Sequence, residues 1–128
     1  MTLKLNNGQK WKTDAPLRQS MAKIKAAVQP HLHVIHENRL KAANYQTPAK
    51  RINTQIAFMV EDCSLAPDVD AQLHLIIAEF GAAAEAMAGK DRAQSRQKGA
   101  LQLAHSLETY GEFFDHPDWT RSATKHEH

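Results

Sequence analysis

At 128 residues, with 16 basic against 14 acidic side chains and a net charge of +2, the chain is the size of one domain with a core of its own, and it carries no large field to steer a partner. Its charges are interspersed and no basic run is interleaved with aromatics, which argues against a nucleic-acid partner. Only five glycines and five prolines stand among many Ala, Leu, Gln and Lys, a composition that favours helices over strands, and no apolar run approaches the roughly 18 residues of a membrane span.

Residues 1–13, with Leu3, Leu5 and Trp11, read as an irregular leader without the apolar centre of a signal peptide. Asp14 before Ala15-Pro16 is a cap followed by a proline, the start signal of a first helix. Leu17, Met21, Ile24, Val28 and Ile35 then recur at helical spacing, with position 31 completing the stripe. Pro30 lies inside that stripe and should kink or break the helix, because it removes a backbone donor and crowds the preceding turn.

Thr47-Pro48 repeats the start signal for a second helix, whose seam is Ile52, Ile56, Met59 and Cys63 with Val60 beside it. Ser64-Leu65-Ala66-Pro67 connects it to a third helix with Leu73, Ile77, Phe80, Ala84 and Met87 on one face, stopped by Gly89. Within it, Gly81-Ala82-Ala83-Ala84 would allow a close helix–helix approach. A fourth helix runs from about Arg92 to Phe114 with Leu103, Leu107, Tyr110 and Phe114 as its stripe, ended by Pro117. Residues 117–128 form a polar tail. Four helices on short connections predict an all-α, antiparallel up-down-up-down four-helix bundle in a single domain.

In that topology one end of the bundle collects the start of helix 1, the end of helix 2, the start of helix 3 and the end of helix 4. Met21, Met59, Cys63, His74 and His116 fall at this end, with Trp11 and Trp119 placed to cap it. Thioether, thiol and imidazole are the donors that copper or zinc takes in preference to alkaline-earth ions. Each of these residues also has an ordinary structural role: methionine and cysteine as core filler, histidine as a hydrogen-bonded boundary residue. A single cysteine excludes an internal disulfide framework. His31, His33 and His36 with Glu37 form a second histidine cluster, and His105 falls nearly opposite Leu103 and Leu107, on the surface.

No Ser/His/Asp set, phosphate-binding glycine loop or HExxH stands in the chain, and its carboxylates form no paired ExxH motifs, so neither a hydrolase nor a di-iron carboxylate bundle is expected. The expected role is binding, storage or delivery of a metal rather than catalysis. The rival readings are a metal-free module that binds a protein or a second copy of itself, and a non-covalent b-type haem carrier.

Trp11-Lys12-Thr13-Asp14-Ala15-Pro16-Leu17-Arg18 with Met21, then Cys63-Ser64-Leu65-Ala66-Pro67 with Asp70-Ala71-Gln72-Leu73-His74, and Tyr110 with Phe114-Asp115-His116-Pro117 carry a resemblance. Together they resemble a family of small exported bacterial proteins whose architecture is similar to cytochrome c′ and cytochrome b562. The resemblance implies a periplasmic four-helix bundle with Met21, Cys63 and His74 as the positions of interest. The chain lacks CxxCH, so covalent haem is excluded. Met21 fits the cytochrome b562 methionine of the first helix, whereas His105 faces the wrong way for the histidine of the last.

Overall fold

Asp14 starts the first long helix as its position promises: its Oδ1 accepts the N–H of Leu17 at 2.9 Å, and Pro16 occupies the first turn, where no donor is lost. The computed structural model describes residues 3–62 and 65–119, apart from the side chain of Asp62. In chain order these form strand β1 (Trp11–Lys12), helix α1 (Ala15–Val28), a 3-10 turn (Gln29–His31), the short helix α2 (Leu32–His36) and a second 3-10 turn (Ala42–Tyr45). Helix α3 (Gln46–Asp62), α4 (Pro67–Met87), α5 (Arg96–Phe113) and strand β2 (Phe114–Asp115) follow. Among the described residues the fold is all-α apart from this one pair of two-residue strands.

Pro30 breaks the first helix as expected, into α1 and α2 with a 3-10 turn between them. Helix α2 ends where Asn38 takes φ 57°, with the Asn38 N–H on Ile35 O and the Arg39 N–H on Val34 O. Gly89 closes α4 in the same way at φ 81°, with the Gly89 N–H on Ala86 O and the Lys90 N–H on Glu85 O. The fourth long helix begins at Arg96 rather than near Arg92. Asp91 Oδ1 binds the Ala93 N–H at 2.9 Å and holds that stretch in a turn, and Ser95 supplies the cap by accepting the Lys98 N–H at 3.1 Å.

Helix α4 packs along α5, α1 along α3, and α3 along α4. Of the two neighbouring isoleucines in α4, Ile76 is fully buried while Ile77 is only partly covered, because Ala83, Ala84 and Ala86 widen the buried face beyond a single stripe. The close approach expected at Gly81 lies elsewhere. A Cβ on Gly81 would meet nothing within 4 Å, whereas one on Gly99 would lie 2.6 Å from Ala86 Cβ and 3.0 Å from Ala83 O. Pairs Met87–Arg96 and Glu79–Gln102, bonded at 3.0 and 3.3 Å, step in opposite directions and make α4 and α5 antiparallel.

The helix of residues 96–113 gives way to strand one residue before the expected end. Phe114 is extended at φ −120° and ψ 139°, and Phe114–Asp115 pair in parallel with Trp11–Lys12. The Thr13 hydroxyl donates to Asp115 O at 2.8 Å, and the Trp11 indole donates to Lys4 O at 2.6 Å. The leader is thereby tied to the end of α5, and the Lys4 N–H on Gln72 Oε1 ties it to the start of α4. At the opposite ends Gln46 Nε2 donates to Ala88 O and Gln97 Nε2 to Ile35 O, at 3.1 and 3.0 Å.

Candidate functional site

The last turns of α3 and the first turns of α4 form the corner to which four of the proposed metal ligands relate. Met59 is 2% exposed and Met21 fully buried; both thioethers fill the core between helices, as methionine does on an apolar seam. Cys63 lies outside the described residues, between the end of α3 and Leu65. His74 faces solvent, and its Nε2 lies 3.2 Å from Asp70 Oδ2 one turn earlier in α4. The Asp70 and Asp68 carboxylates stand in the first turn of α4, where the helix dipole favours negative charge. Among the described residues no three His, Cys, Asp or Glu side chains converge on one point.

The fifth proposed ligand, His116, belongs to a different assembly at the end of α5. Its Nδ1 is hydrogen-bonded to Tyr110 Oη at 2.8 Å, and its ring lies 4.7 Å from that of Trp119. Tyr110 is fully buried, stacks on Phe114 at 5.2 Å and meets Trp119 edge-on at 4.9 Å. The Trp119 indole donates to Leu107 O at 2.9 Å and seats in a notch that Gly111 leaves open, since a Cβ there would strike its ring. Lys25 of α1 closes the cluster. Its ammonium sits 4.4 Å above the Trp119 ring and donates to Trp119 O at 3.1 Å. Trp11 and Trp119 thus cap this end, both buried.

Burial lowers the pKa of His116 below the ordinary 6.5, helped by the positive charges of Arg18 and Lys25 and opposed by Asp115. Burial also lowers Lys25. A ring held neutral in the folded state binds its proton less readily there than in the unfolded chain. His116 therefore contributes its stability in full above 6.5, and loses it as pH falls from 6.5 through the lowered folded value. Urea unfolding from about pH 7.5 down to about pH 5 is expected to show stability declining, with a shallower decline in His116→Gln. Equal slopes in the two proteins would remove His116 from the account.

In the second histidine cluster His33, His36 and Glu37 share one side of a helical stretch, and His31 stands apart from them. His31 lies in the 3-10 turn and His33 and His36 in α2, where His33 Nε2 is 3.5 Å from Glu37 Oε2 with the His33 side chain 84% exposed. Arg39 takes the other side of Glu37 at 3.1 Å. These are solvated pairs of small energetic weight. His105 is exposed, as its position opposite Leu103 and Leu107 requires.

No family model matches the chain, and no curated protein or solved structure is significantly similar to it.

What the pattern of residues missed is the partnership of Tyr110 with His116 and of Lys25 with Trp119. Tyr110 stood on an apolar stripe and Lys25 in an unremarkable charged position; the contacts span 6 and 94 residues. The only hint was the cluster Phe114-Asp115-His116-Pro117-Asp118-Trp119, too rich in large rings for a solvated tail.

Proposed function

We propose that the protein is a non-catalytic binding bundle, its four long helices running up-down-up-down, that holds a soft transition ion at the corner between α3 and α4. Copper is the first choice and zinc the second. The observation that supports this is the 3.2 Å pair between His74 Nε2 and Asp70 Oδ2. A carboxylate on one ring nitrogen sets the tautomer and orientation of an imidazole and raises the basicity of the other nitrogen, the arrangement found behind metal-ligating histidines. Nδ1 is then the ligating atom, on a side chain 54% exposed that can meet an ion with no change in the core.

Cys63 stands four residues before Pro67, the first residue of α4. A thiolate from that connection and the imidazole of His74 are the donor types a cuprous ion takes with few ligands. Met21 and Met59 are committed to the core and His116 to Tyr110, so the proposed ligand set narrows to Cys63 and His74. The role that follows is storage or delivery. An exported, periplasmic setting belongs to the same reading through the family resemblance, and the bonds from Gln46 to Ala88 and from Lys4 to Gln72 support the alternating course of the helices.

Anaerobic loading with copper(I), gel filtration and elemental analysis test the proposal. Wild-type protein is expected to retain one equivalent, Cys63→Ser and His74→Ala none, and Asp70→Asn to bind about 10- to 100-fold more weakly. Absence of retained copper in the wild type, or retention in Cys63→Ser, would sink it.

A metal-free interaction module is the second reading. It draws on Phe58 and Val60, 46% and 58% exposed on either flank of Met59 in α3, large apolar groups left in water beside the same corner. Under that reading Phe58→Ser with Val60→Thr leaves the melting temperature unchanged and abolishes self-association or partner binding, while copper is never retained.

A further inference from the structure

We infer that the cavity between the end of α1 and the start of α3 binds a small carboxylate with an apolar body. The cavity measures ≈ 380 Å³, within the roughly 300–1,000 Å³ typical of small-molecule sites. Its α3 residues stand in the first two turns of that helix, whereas Cys63 follows the helix's last residue in sequence, and the cavity is independent of the metal proposal.

Its apolar wall is made by Ala27, Leu40, Ala43 and Pro48. Two of these are alanines, and the break of the first helix at Pro30 carries the chain away before it returns at Leu40. The space exists because short side chains line a gap between α1 and α3 that the intervening segment spans and does not fill. Ala27 and Pro48 are buried, so this wall is continuous with the core.

The polar side is formed by His31, Asn44, Thr47 and Arg51. Among the described residues that line the cavity none is acidic, and Arg51 is the fixed cation. A guanidinium presents two parallel N–H donors that match a carboxylate, and His31 in the 3-10 turn offers an imidazole N–H. Asn44 and Thr47 add neutral donors. One guanidinium and one imidazole suit a singly charged head, and four apolar residues need a hydrophobic body to cover them. A free inorganic anion would leave that wall wet.

Benzoate serves as probe, with benzamide as its neutral counterpart and inorganic phosphate as an anion without an apolar body. In amide-resolved NMR of the full chain, benzoate is expected to cause saturable shifts at Ala27, His31, Ala43 and Thr47. Arg51→Gln should weaken binding about tenfold or more, and Ala43→Leu, which fills the space, should abolish the shifts. Both positions are exposed, so both variants should keep the wild-type circular dichroism and melting temperature. The inference is overturned if benzoate causes no saturable shift, if benzamide or phosphate binds as tightly, or if Arg51→Gln binds benzoate unchanged.

Discussion

Tyr110→Ala is expected to lower the unfolding free energy by about 3–5 kcal/mol, the cost of emptying a fully buried aromatic site. The ring is the hub of its end of the molecule. It stacks on Phe114, which pairs with Trp11 in the strand pair, and it supports Trp119 edge-on, while Trp119 in turn carries Lys25 from α1. Truncation therefore loosens the leader, the start of α1 and the residues after α5 together. Tyr110→Phe keeps the packing and loses the bond to His116, a change of about 1 kcal/mol, because the half-buried imidazole regains water as a partner. Urea unfolding at neutral pH, read by circular dichroism and by tryptophan emission, separates the two. An alanine variant no less stable than the phenylalanine variant would show that this end does not hold the helices together.

Gly99 carries the second large effect. Alanine in place of a mid-helix glycine ordinarily stabilises by about 1 kcal/mol. Here the new methyl would stand 2.6 Å from Ala86 Cβ and 3.0 Å and 3.3 Å from the α4 backbone at Ala83 O and Met87 N. Two of the three neighbours are main chain and cannot rotate away, so α4 and α5 must separate. Overpacking of this kind costs about 1–3 kcal/mol and outweighs the gain in helix propensity. Gly99→Ala is expected to destabilise and Gly99→Leu to do so more strongly. The cause is specific, and a double-mutant cycle with Ala86→Gly should return a coupling of about 1 kcal/mol. Gly81→Ala, which meets nothing, is the control and should stabilise. Stabilisation by Gly99→Ala would mean that the two helices are not held at this distance.

The helices were legible because their signals are local. Asp14 with Pro16, Gly89 and the interruption at Pro30 act on backbone donors and acceptors within a few residues, and each operates as its residue type predicts. Buried positions were legible where one face packs, as in Leu17, Met21 and Ile24 of α1. They were less so in α4, where a run of alanines lets two neighbouring helices approach and shifts full burial from Ile77 to Ile76. The candidate site was legible only as a set of donor types. Their burial separates them: both thioethers are enclosed, His74 is solvated beside Asp70, and His116 is bound to Tyr110.

The sequence by itself determined that this is a helical protein, where its first helix starts and breaks and where α4 stops, since all of these depend on chain-local hydrogen bonding and periodicity. The tertiary structure alone decided the pairing of Trp11 with Phe114, the Tyr110–His116–Trp119–Lys25 cluster, the contact of Gly99 with α4, and the cavity before α3. Those features depend on surfaces brought together across as many as 103 positions, as between Trp11 and Phe114, where no period in the chain records which residue will face which.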